Sequence, residues 1–184
     1  MKTRSVFILL LAAGLLAVGS GPAAADPNNE SGTWELHLEV PNISRASSGD
    51  TLAITGMGVF SVHPKSVTAA GTFTHTVAGG GSFTGTWTAT DLLSFEFYGC
   101  GVVEGEPFPP NFCGGALKLR VYFTPAGTNL RIPGIITIFC IIGPQAPPTH
   151  DELTLGEEGM TAVVPGIGNF NKILSGLNLY IQTS

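Results

Sequence analysis

Residues 51–90 read TLAITGMGVF SVHPKSVTAA GTFTHTVAGG GSFTGTWTAT, and the reading of this stretch decides the fold. Phe73, His75 and Val77 alternate with Thr72, Thr74 and Thr76, and Phe83, Gly85, Trp87 and Ala89 alternate with Ser82, Thr84, Thr86 and Thr88. A period of two marks strands with one face on a core and the other in water. Two turns punctuate the run. His63-Pro64-Lys65-Ser66 sets proline at the second position of a turn, and Gly79-Gly80-Gly81 tolerates the backbone angles of a hairpin loop.

These turns predict a register. The first pairs Val62 with Val67, so that Phe60 faces Ala69, Gly58 faces Gly71, Gly56 faces Phe73, Ile54 faces His75 and Leu52 faces Val77. The second pairs Val77 with Phe83, His75 with Gly85, Phe73 with Trp87 and Gly71 with Ala89. Large side chains repeatedly meet small ones on one face. A tightly curved inner surface demands such alternation, and glycines within strands mark places where a sheet coils sharply.

The same period extends outward along the chain, with no sustained helical stripe. Trp34, Leu36, Leu38 and Val40 alternate with Glu35, His37 and Glu39, and Leu93, Phe95 and Phe97 keep the inner parity of Trp87 beyond a bend near Asp91. Further strands are expected at Leu117 to Phe123, Ile132 to Ile142, Leu153 to Leu155 with Met160 to Val164, and Leu177 to Ile181. About eight short antiparallel strands predict a single β-barrel, with a β-sandwich as the alternative. In outline this is similar to the small calycin-like barrels, including the allene oxide cyclase and dirigent group, a likeness of fold class that carries no function.

Ahead of the barrel, Lys2 and Arg4 precede the uncharged run Val6 to Val18, which leads to Ala23-Ala24-Ala25. That order of basic, apolar and small residues predicts a secretory signal at residues 1–25, leaving residues 26–184 as one domain that is secreted, extracellular or periplasmic. Thirteen apolar residues fall short of the roughly 20 needed to span a bilayer. Removing Lys2 and Arg4 leaves six basic residues against 13 acidic ones, a formal charge of −7. Nucleic acid is thereby an unsuitable partner, and no basic cluster addresses an anionic membrane.

Three cysteines allow three single pairings and leave one thiol over. Cys100 and Cys113 flank a loop rich in glycine and proline, and their bridge is the preferred one; Cys140 reads as a small core residue. Ile132 to Ile142 is apolar on both faces, which calls for a cover: the N-terminal segment, the loop with Phe108 and Phe112, or a second copy of the chain in a homo-oligomer. The long loops Gly101 to Gly115 and Gly143 to His150 are expected to cap a barrel mouth or frame a site.

Among chemistry-bearing residues His75 stands out, placed by the register on the inner face beside Ile54, with Phe73 and Trp87 as neighbours. These four form the candidate site for a small apolar ligand, with an isomerase- or cyclase-like reaction as its catalytic variant. Asp91 shares the inner parity but lies too far along the strand to pair with His75. Glu35, His37 and Glu39 line one face, which suits a cation as well as it suits plain solvation. The threonine ladders offer a surface for ice or polysaccharide, against the ordinary preference of threonine for wet strands. No nucleophile elbow, zinc motif, phosphate loop or cofactor fingerprint occurs. The expectation is a non-enzymatic secreted barrel with a binding or assembly role and no cofactor or metal.

Overall fold

The computed structural model describes residues 31–147 and 158–184. The signal segment with Ala25, the strand expected at Leu153 to Leu155 and the end of the second proline-rich loop lie outside the described residues. Ten strands follow one another: β1 (Thr33–Ala46), β2 (Thr51–Ser61), β3 (Ser66–Thr76), β4 (Ser82–Cys100), β5 (Val102–Val103), β6 (Glu106–Pro107), β7 (Phe112–Pro125), β8 (Ile132–Cys140), β9 (Gly159–Val164) and β10 (Gly168–Gln182). Eight close a barrel in the order β1-β10-β9-β8-β7-β4-β3-β2, and β5 and β6 form a separate small hairpin. The barrel holds and the sandwich falls, because β1 pairs with both β2 and β10 and leaves no open edge.

Both hairpins are formed, each two residues out of the predicted register. Phe60 faces Val67, Gly58 faces Ala69, Gly56 faces Gly71, Ile54 faces Phe73 and Leu52 faces His75. On β4, His75 faces Phe83, Phe73 faces Gly85 and Gly71 faces Trp87. The cause is local. The first turn occupies residues 62–65, closed by the pair Ser61 and Ser66, and Val77 rather than Ala78 opens the glycine turn. Moving a turn's centre by one residue changes every partner by two, which preserves the faces.

Large and small residues do interlock, in this new register. A Cβ on Gly56 would lie 2.6 Å from the Trp87 ring, and one on Gly85 would lie 2.6 Å from Phe73. Phe73 and Trp87 share the inner side, both almost wholly buried. An eight-stranded barrel is about wide enough for side chains to fill. At one end Trp34, Phe60, Phe95 and Tyr180 plug it, with Trp34 and Phe60 stacked at 5.4 Å and Phe60 edge-on to Tyr180 at 5.6 Å.

Bulges alter two predicted faces. Between Leu38 and Asn42 the pairing of β1 with β2 slips, so Val40 turns outward and Asn42 turns in. Asn42 forms a reciprocal amide pair with Asn178, both bonds 2.9 Å, and the two side-chain N–H donors of Asn178 are shared among Asn42 Oδ1 and the carbonyls of Phe139 and Gly159. In β4 a slip between Ala89 and Asp91 puts Asp91 outside, 3.3 Å from Arg120. Successive slips bury Leu92, Phe95 and Tyr98 in place of the uniform series Leu93, Phe95, Phe97.

Cys100 and Cys113 face each other across β4 and β7 and form the disulfide. Cys140 is a free thiol with no exposure, donating to the Asn178 carbonyl at 3.0 Å. Burial pushes its pKa up to about 12. The two proline-rich loops meet at this disulfide end: Gly143 donates to the Val102 carbonyl and Gln145 to that of Tyr98. Phe108 and Phe112 pack edge-on at 5.5 Å and, with Ile141 and Ile142, wall a hollow over β10, so this loop covers one end of the doubly apolar strand. Ile135 and its partner Val163 stay exposed at the other.

Candidate functional site

The end of the barrel opposite the disulfide is open. Phe73, Phe83, Phe123 and Phe170 supply rings around a cavity of about 290 Å³, and Leu52, Pro125, Ile132, Val164 and Ile167 complete its wall with His75. These residues come from the ends of strands and the turns joining them, because each antiparallel strand delivers its last inward side chain to a mouth. Among the described residues short turns frame this mouth: residues 77–81 join β3 to β4, and residues 165–167 join β9 to β10.

Among the described residues, His75 is the single polar side chain in that wall. Its ring lies edge-on to Phe170 at 5.6 Å and stacks on Phe83 at 6.3 Å. Nε2 is 3.3 Å from Asp50 Oδ2, and both side chains are largely buried, at 15% and 16% exposure. Asp50 Oδ1 accepts the Ala78 N–H at 2.9 Å. That backbone hydrogen bond holds the Asp50 carboxyl below its ordinary range against the opposing cost of burial, and the hydrogen bond to His75 adds a smaller contribution in the same direction.

Asp50 is the neighbour of His75 that sequence reasoning misses. In the predicted register His75 stands opposite Ile54, which leaves Asp50 out of reach. In the observed one His75 stands opposite Leu52, and Asp50, two residues before Leu52, becomes its diagonal neighbour. The signal was present in the parity of Asp50 with Leu52 and Ile54, concealed by the slip of one turn.

Of the four predicted ligand contacts, His75 and Phe73 line the cavity. Ile54 and Trp87 lie deeper, at 1% and 0% exposure, and Trp87 donates its indole N–H to the Thr55 carbonyl at 2.9 Å. They form the floor's packing rather than its surface.

The other candidates resolve differently. Glu35, His37 and Glu39 do share an outer face, where His37 Nε2 lies 3.2 Å from Glu35 and Nδ1 lies 3.9 Å from Glu39. Among the described residues no group of three such side chains is arranged to hold a metal ion. The threonine face is broader than predicted: Thr55, Thr72, Thr86 and Thr124 stand opposite one another in turn across β2, β3, β4 and β7, and the Thr55 and Thr72 hydroxyls share a hydrogen bond of 2.7 Å. Because the wall closes into a barrel, that row wraps around a curve.

The chain matches no family model, no curated protein and no solved structure.

Proposed function

We propose that this chain is a secreted binding protein whose barrel mouth holds one small, largely apolar molecule. The observation that carries the reading is the ring-lined cavity of about 290 Å³ at one end of an otherwise filled barrel. Concave apolar sites with a few convergent polar groups are the usual form of small-molecule sites, and this volume stands at the small end of their range of roughly 300 to 1,000 Å³. Export is supported by the basic-apolar-small order of residues 1–25 and by a disulfide of the kind that persists in oxidising compartments.

Binding is favoured over catalysis by what faces the ligand. A base such as His75 gains rate only when a second group stabilises the charge it generates. Every other side chain of the wall is hydrocarbon. Among the described residues the wall offers no second polar side chain to assist an isomerase- or cyclase-like reaction, which therefore stands second to binding.

The test is titration with the neutral fluorophore N-phenyl-1-naphthylamine. Micromolar binding is expected, weakened at least about tenfold in Ile167→Glu, because desolvating a carboxylate against apolar surface is costly. Ile167 lies on the rim and is 42% exposed, so the variant should keep its thermal stability. No binding by the native chain, or equal binding by the variant, would overturn the reading.

A further inference from the structure

The chemistry of the mouth narrows the class of ligand, an inference that rests on the binding function proposed above. A molecule buried there meets a single polar side chain, and the hydrogen bonds of that side chain are already half assigned. Asp50 Oδ2 stands 3.3 Å from His75 Nε2. A carboxylate accepts hydrogen bonds and donates none, so Nε2 is the nitrogen that carries the proton. The same carboxylate is itself fixed, its other oxygen accepting the Ala78 N–H at 2.9 Å. In its neutral form the ring is thereby committed to one tautomer, in the manner of a histidine oriented by a carboxylate, and in that form Nδ1 keeps a free lone pair.

Nδ1 has no hydrogen-bond partner among the described residues, nor is it among their buried, unsatisfied side-chain atoms. It is the one acceptor that the wall's side chains offer. A ketone, ester or ether presents only acceptors and would set a lone pair against a lone pair, whereas a hydroxyl supplies the missing proton. Specificity built on such a single buried pairing is strong, because the wrong ligand leaves a polar group unmatched.

We infer that the mouth selects a compact apolar alcohol, whose carbon skeleton fills the phenylalanine-lined cavity while its O–H donates to His75 Nδ1. Asp50 is a positioning residue in this scheme, acting through the tautomer it imposes on His75 and not through the ligand.

The experiment is displacement of N-phenyl-1-naphthylamine by borneol and by camphor, an alcohol and a ketone on one bicyclic skeleton. Borneol is expected to bind about tenfold tighter, the scale of one net hydrogen bond. His75→Phe should bring the two together by weakening borneol and sparing camphor. Asp50→Asn should shrink the preference several-fold with camphor affinity unchanged, since an amide satisfies either tautomer; this variant keeps the test open if His75→Phe fails to fold. Equal affinities in the native chain, a preference for camphor, or displacement by neither while the fluorophore binds would each overturn the alcohol assignment and leave the apolar pocket standing. Failure of the fluorophore itself to bind would remove the pocket reading and this one together.

Discussion

Glycine 85 shows how much one hydrogen atom decides in this barrel. It stands opposite Phe73 on β3, and a Cβ there would run into the Thr124 carbonyl as well as the Phe73 ring. The first obstacle is backbone and cannot swing away, and the second is a buried ring that could yield only into the cavity it walls. Gly85→Val should therefore cost about 1–3 kcal/mol by overpacking, visible as a fall of several degrees in Tm. One position along, the side chain of Thr86 points into water, and Thr86→Val should alter stability by less than about 0.5 kcal/mol. Equal effects of the two substitutions would contradict the assignment of faces. His75 belongs to the same scale: its inner position is legible from parity alone, while its partner Asp50 is not, because a diagonal neighbour depends on register and register on which residue opens a turn.

Irregular strands decide where polar groups enter the core. The slips of β1 between Leu38 and Asn42, and again against β10, break the ladder, and the backbone groups released there need other partners. Asn42 supplies one by donating to the Val40 carbonyl at 3.2 Å, and Asn178 on β10 in turn bridges Asn42 to the Phe139 carbonyl on β8 and to the Gly159 carbonyl on β9. Three neighbouring strands are thus tied at one buried point by a side chain with 2% exposure. Asn178→Ala should leave Asn42 and two carbonyls without their partner and cost about 1–3 kcal/mol, measured as a lower urea midpoint at unchanged m-value. A midpoint equal to the native one would show that water replaces the amide. Asn42 opens the triplet Asn42-Ile43-Ser44, which resembles a glycan acceptor by sequence, yet its complete burial excludes that role in the folded chain. Nothing in the alternation of Trp34, Leu36 and Leu38 announces the bulge that turns it inward.

Across the whole molecule the two ends of the barrel have opposite characters. Aromatic plugging, the disulfide and both proline-rich loops gather at one end, while the other keeps short turns and an open, ring-lined mouth. Two carboxyls, one near each end, give stability opposite dependences on pH. Asp50 has its pKa lowered below 3.8 by the Ala78 N–H, so its contribution is present above that pH and fades as the pH falls through the lowered value. Glu158 has its pKa raised above 4.5 by burial beneath the Phe108 loop, against the opposing Asn178 N–H. Its contribution is full below 4.5 and is lost as pH rises through the raised value, because the unfolded chain releases its proton first. Glu158→Gln should therefore match the native Tm near pH 4 and exceed it at pH 7, whereas Asp50→Asn should flatten only the acid limb below 3.8. A Glu158→Gln difference that stays constant with pH would show that this carboxyl does not titrate between fold and solvent. By itself the sequence determined the all-β class and the inward set of Phe73, His75 and Trp87, and it favoured without deciding the barrel over the sandwich and the bridge between Cys100 and Cys113, because side-chain alternation and the confinement of a loop act over a few neighbouring residues. Tertiary structure alone decided that His75 meets Asp50, that Asn42 lies buried and that one mouth stays open. Each of those depends on register and bulges, which are set by how eight strands close around a common core, a condition that no short stretch of chain can express.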